Sequence, residues 1–166
     1  MSRISDVGYL AAQLENIVNI YGGIKEFMVA SGAKRQTLRR IMLGKPCRLS
    51  TVERFAEYDN KSIAEMFLDP DVETEWYRDS ALEYVSENIR KISEASEMDI
   101  ETIAVCANIL PQTYELYLAG LMYPMTNTLQ RIANVLEVEV ADLFLPLEGS
   151  ERECQRMKFW SCCGKR

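Results

Sequence analysis

The chain of 166 residues contains no histidine. That absence removes the Ser-His and Cys-His pairs that activate a hydroxyl or thiol for nucleophilic attack, and it removes the imidazole from any mixed metal site. Cysteine occurs five times, an odd number with no C-x-x-C pair. Neither a disulfide framework nor a zinc module is therefore indicated, and a reducing compartment fits best. Long apolar runs are missing too: no stretch of about 18 apolar residues is present to cross a bilayer. The opening "MSRISDVGYLAAQLEN" lacks the basic-then-apolar order of a secretory signal, so a cytoplasmic location without membrane contact is expected. No Gly-rich strand-to-helix turn occurs, and "LGKP" (43–46) is not a phosphate-binding loop because no Ser or Thr follows its Gly-Lys. Neither catalysis nor a cofactor is expected.

What remains is ample material for a core. With 48% hydrophobic and 27% charged residues, the composition is that of a globular chain rather than a disordered one. The net charge of -6 is unevenly spread. Residues 1–69 hold ten Lys/Arg against eight Asp/Glu, residues 70–147 hold four against fourteen, and residues 148–166 hold five against three. A mildly basic first part precedes a strongly acidic second one, which suggests two units with different partners.

An internal repeat locates those units. "TVERFAEYDNKSIAEMFL" (51–68) lies without a gap over "TLQRIANVLEVEVADLFL" (128–145), with six identical and six conservative pairs. Upstream the register continues with small shifts: Gly44 falls over Gly120, Thr37 over Thr113, and Leu10, Leu14 and Ile17 over Val85, Ile89 and Ile92. The chain is a tandem duplication of roughly seventy residues. The reading is a first domain over 1–69, an acidic linker over 70–81, a second domain over 82–147, and a basic cysteine-containing tail over 148–166.

Each unit reads as short helices. Leu10, Leu14, Ile17 and Tyr21 recur at helical spacing until Gly22-Gly23 breaks the pattern. Ile24, Phe27 and Met28 face a second helix that closes at Ser31-Gly32. A third, about Arg35 to Leu43, turns Leu38, Ile41 and Met42 inward and stops at Gly44. Ser50 or Thr51 is expected to cap a fourth, from Val52 to Tyr58, and "IAEMFL" makes a fifth. The second unit repeats the plan, with Asp99 capping its second helix and Asn127 or Thr126 its fourth. The expected fold is all α.

The segments "IKEFMVASGAKRQTLRRIMLGK" and "IETIAVCANILPQTYELYLAG", each followed by a "T-x-x-R-x-A" helix and an "A-[ED]-x-F-L" turn, resemble the Cro/C1-type (XRE-like) helix-turn-helix domains of bacterial and phage transcription regulators. The resemblance covers nearly the whole chain twice. It implies two tandem five-helix, lambda repressor-like domains, the second degenerate. It also implies that the third helix of the first unit enters the major groove of double-stranded DNA. Gln36, Arg39, Arg40 and Leu43 share a face of that helix opposite the Leu38/Ile41 stripe. Arg35, Gln36 and Arg40 match base-reading positions, where Arg pairs with guanine and Gln with adenine. Lys34, Thr37, Arg39 and Lys45 are placed for phosphates. One departure stands out: Gly23 and Ile24 occupy positions where the family carries Ser or Thr and then Gln as a phosphate anchor.

The second unit departs further, since "PQTYELYLAG" carries no cation and one anion. Tyr114 and Tyr117, matching Leu38 and Ile41, are expected in its core, while Leu116, Ala119, Leu121, Met122 and Tyr123 are expected to form a protein interface. In the linker, Trp76 and Tyr77 are expected to pack between the units. Cys154, Cys162 and Cys163 lie in a tail read as amphipathic, without a complete metal site. The function expected is a DNA-binding, repressor-like regulator in which the first unit contacts DNA. The second would support self-association, as a homodimer, or bind another regulatory protein. The alternative is a protein-interaction regulator of anti-repressor, antitoxin or immunity type that kept the fold without DNA binding.

Overall fold

A computed structural model describes residues 6–71 and 77–146. Among the described residues the regular structure is helical, in two successive sets of four helices closed by a 3-10 turn. The first set comprises α1 (Asp6–Ile20), α2 (Ile24–Ser31), α3 (Arg35–Met42), α4 (Leu49–Tyr58) and the turn Ala64–Phe67. The second comprises α5 (Tyr84–Ala95), α6 (Ile100–Cys106), α7 (Pro111–Leu118), α8 (Thr126–Val135) and the turn Val140–Phe144. Trp76 and the three tail cysteines Cys154, Cys162 and Cys163 lie outside the described residues. Tyr77 is half-buried and packs against the core.

Repeat partners do the same work in each set. Leu10, Leu14 and Ile17 on α1 and Val85, Ile89 and Ile92 on α5 are all buried. Beside them two buried amides, Gln13 and Asn88, hold the closing 3-10 turns in place. Gln13 Nε2 donates to the carbonyls of Glu65 and Leu68, and Asn88 Nδ2 donates to those of Leu143 and Leu145. These bonds tie the carbonyl ends of the closing turns to the helices beneath them. Gln13 Oε1 in turn accepts from Lys61 Nζ at 2.8 Å.

The two sets meet through residues at equivalent places in the repeat. Phe67 and Phe144 stack with ring centroids 5.4 Å apart and planes inclined by 10°. Arg48 and Met125, which share the register that lays Thr51 over Thr128, form an isolated antiparallel bridge. Pairing of like with like, running antiparallel, is what a two-fold axis produces. The halves are thus related by an approximate dyad, and their buried apolar side chains form one continuous cluster. The seam has polar ties as well: Thr126 N donates to the Cys47 carbonyl at 3.0 Å, and Cys47 N donates to Thr126 Oγ1 at 3.1 Å. Ala81 N donates to the Phe144 carbonyl, and Ala64 N to Ser80 Oγ.

That seam explains two departures from the sequence reading. Helix α4 begins at Leu49, not Val52, so Ser50 and Thr51 lie inside its first turn and neither caps it. Leu49 is buried and Arg48 beside it is held extended by the bridge, which sets the helix start by tertiary packing. Helix α8 likewise begins at Thr126, with extended Met125 before it; neither Thr126 nor Asn127 caps it, because the Thr126 hydroxyl faces Cys47 across the seam. Asp99 does cap α6, accepting from Thr102 N at 2.8 Å.

Two expected outcomes follow from the seam. Thr126→Val keeps the side chain's shape but leaves the buried Cys47 N–H without its acceptor, a loss of about 1–3 kcal/mol. Urea unfolding should show that loss in one transition for the whole chain, with Thr126→Ser close to wild type. Burial pushes the Cys47 thiol up to about 11, against a weaker opposing hydrogen bond from Thr126. In a variant keeping only Cys47, thiol-disulfide exchange at pH 8 should therefore run about 100-fold slower in the folded chain than after unfolding in urea, from the thiolate fraction of Cys47 alone. Equal rates would mean that the seam is open.

Candidate nucleic-acid interface

The turn between α2 and α3 is fixed by short-range bonding. Gly32 ends α2 in the left-handed region at φ 63°, and its N–H caps the Met28 carbonyl. A Cβ there would strain the backbone, which is why glycine closes this helix. Ser31 Oγ donates to the Phe27 carbonyl at 2.7 Å and accepts from Ala33 N at 3.2 Å. Ala33 is buried beneath the turn. Helix α3 is thereby set at a defined angle to α2, and its own inner stripe, Leu38 and Ile41, is buried.

The opposite face of α3 is open. Lys34, Arg35, Gln36, Arg39, Arg40 and Lys45 are exposed and Thr37 is half-buried. The ion pairs among the described residues join Lys61 to Asp59 and Arg90 and Lys91 to Glu87; none involves a cation of this face. The positive charge is therefore not neutralised by the acidic second half. Arg39 and Arg40 stand in the last turn of α3, where the helix dipole favours cations. Leu43 is 74% exposed and extends the face toward the seam, where Arg48 is also exposed. Arg48 belongs to the same basic run, 31–48, and was given no contact role from sequence; the structure pairs its backbone with Met125 and leaves its side chain exposed.

The unusual start of α2 has a backbone cause. Gly23 adopts φ 127° with ψ 177°, a conformation closed to Ser and Thr without strain, and a Cβ added there would sit 3.2 Å from Glu26 Oε2. The matching position of the second half is Asp99. Its carboxylate accepts from Thr102 N, the main cause holding it below the usual carboxylate range, and also from Thr102 Oγ1. An anion thus stands at the start of α6 where α2 has Gly23.

Helix α7 keeps the scaffold and changes the surface. Tyr114 and Tyr117 are buried, in the places of Leu38 and Ile41. The Tyr114 hydroxyl shares a 2.7 Å hydrogen bond with Ser93 Oγ. Leu116, Ala119, Leu121, Met122 and Tyr123 are exposed together, with Leu121 at 76%. Leu110, 70% exposed, and Val105 and Met125 are further exposed apolar side chains of this half and were missed. The repeat register carries the signal that finds Leu110: Lys34, Arg40 and Lys45 fall over Leu110, Leu116 and Leu121. Three exposed cations of one half are three exposed leucines in the other.

No group of three or more Cys, Asp or Glu converges as a metal ion would require among the described residues. None of their helices is long and apolar enough to cross a membrane. Compared with protein-family models, with curated proteins and with solved structures, the chain matches none.

Proposed function

We propose that this protein is a DNA-binding regulator of the Cro/C1 helix-turn-helix type, in which α2 and α3 form the helix-turn-helix and α3 enters the major groove. The observation that carries this reading is the unpaired, exposed cationic face of α3, set on a helix held rigid by its buried Leu38 and Ile41. A polyanion gains from such a face by releasing counterions, and amino-terminal residues of a groove-bound helix meet base edges. Arg35, Gln36 and Arg40 are assigned to bases, and Lys34, Thr37, Arg39 and Lys45 to phosphates. The second half is a degenerate copy of the same domain: with leucines in place of three cations, it adds no second cationic reading surface and braces the first through the seam.

A second reading has its own observation. Leu110, Leu116 and Leu121, with Met122 and Tyr123, form an apolar surface of the kind that protein partners cover. On that reading the fold is kept for contact with another regulatory protein and DNA is not bound.

Selection of bound sequences from random duplex DNA separates the two. The chain should enrich a defined motif, and the pair Arg35→Ala with Arg40→Ala should lose it, by at least about fivefold per base contact at the lower end of about 1–3 kcal/mol. Helical circular dichroism should stay unchanged. Selective retention equal to wild type would eliminate the proposal. Loss of a protein partner on Leu116→Asp, with no motif enriched by the wild type, would establish the second reading instead.

A further inference from the structure

The dyad relating the two halves has a direction. Its inner end runs between Phe67 and Phe144, both buried, and its outer end between Arg48 and Met125, both exposed. It therefore leaves the molecule at the bridge. Helix α3 leads to that point through exposed Leu43, Gly44 and Lys45, and α7 leads to it from the other side through exposed Ala119, Gly120, Leu121, Met122 and Tyr123. Gly44 at φ 68° and Gly120 at φ 69° make the same left-handed turn at the ends of α3 and α7. The outer faces of α3 and α7 thus lie on one side of the molecule as two-fold mates, one cationic and one apolar.

A duplex has dyads of its own, perpendicular to its axis. Proteins that exploit them bring two copies of a reading helix to successive major-groove segments about one helical turn apart. Here the second copy is already inside the chain, and its face has lost the charges that would hold it to phosphate. We infer that the DNA-binding unit is a single chain, and that its target is an asymmetric duplex site: one half-site read by α3, with the mate segment lying under α7 and left unread. This rests on the DNA-binding reading above and specifies the class of site.

The charge on the page sets the scale. Lys34, Arg35, Arg39, Arg40, Lys45 and Arg48 are exposed cations along α3 and the segment that follows it. If these six met phosphates, log K would fall with log salt at a slope of about −5.4, and two chains on one site would double it.

The test uses the full-length chain and the triple variant Leu110→Lys, Leu116→Arg, Leu121→Lys, which restores the cations of the first half at exposed positions. For the wild type, the motif selected from random duplexes should be non-palindromic, and the mass of the purified complex should correspond to one chain per duplex. The triple variant should keep that stoichiometry and steepen the salt slope by up to about 2.7, roughly 0.9 per restored cation, while Leu→Gln at the same three positions should not. A palindromic motif with two chains, or an unchanged slope in a triple variant whose helical circular dichroism matches wild type, overturns the single-chain site while leaving DNA reading by α3 intact. Absence of any selected motif overturns both.

Discussion

The structure turns on one contact between repeat partners, the stack of Phe67 on Phe144 together with the antiparallel bridge of Arg48 and Met125. A short helical unit of this size buries little apolar surface by itself, and small domains are correspondingly marginal. Setting one copy against the other merges the two interiors into one cluster. The buried amides Gln13 and Asn88 then fix the closing turns that carry the stacked rings. With the seam in place, α3 needs no acidic neighbour to steady it, and its charged face stays free.

Duplication also lets the two surfaces diverge without loss of scaffold. The buried positions of α3 and α7 exchange Leu38 and Ile41 for Tyr114 and Tyr117, larger side chains accommodated in part by a hydrogen bond from Tyr114 to Ser93. The exposed positions exchange cations for leucines, which leaves the core unaffected and changes what the surface attracts. The acid at Asp99 points the same way, being held ionised by Thr102 at the start of α6. Glycine at 23, by contrast, reflects a backbone that excludes the usual side chains. The start of α2 is thus closed to a side chain by its backbone, and the start of α6 carries an anion.

Much of this was legible in the sequence because it rests on local rules. Helical spacing and glycine stops gave α2, α3 and the end of α1 within a residue or two, while α1 starts at Asp6, ahead of the first apolar position of the pattern, Leu10; the burial of Tyr114 and Tyr117 followed from the repeat register. What could not be read was set by contacts far apart in the chain. The starts of α4 and α8 moved to Leu49 and Thr126 because residues 48 and 125 pair across the seam, overriding the capping preference of Ser50, Thr51 and Asn127. The dyad was hidden for the same reason: a repeat shows that two units exist, whereas their mutual packing depends on surfaces that no local pattern marks. Among the site residues, exposure of the α3 cations followed from helical periodicity. Their freedom from carboxylates in a chain of net charge -6 required the three-dimensional arrangement.

On the function proposed, the exposed face of α3 is the surface that meets nucleic acid. Titration of the isotope-labelled chain with a short duplex, followed residue by residue in amide NMR spectra, tests it most directly. Saturable shifts are expected at residues 34–45 and at Arg48, weakening as salt is raised. Shifts centred on Leu116 to Met125 with none on α3, or no saturable shift at all, would contradict it.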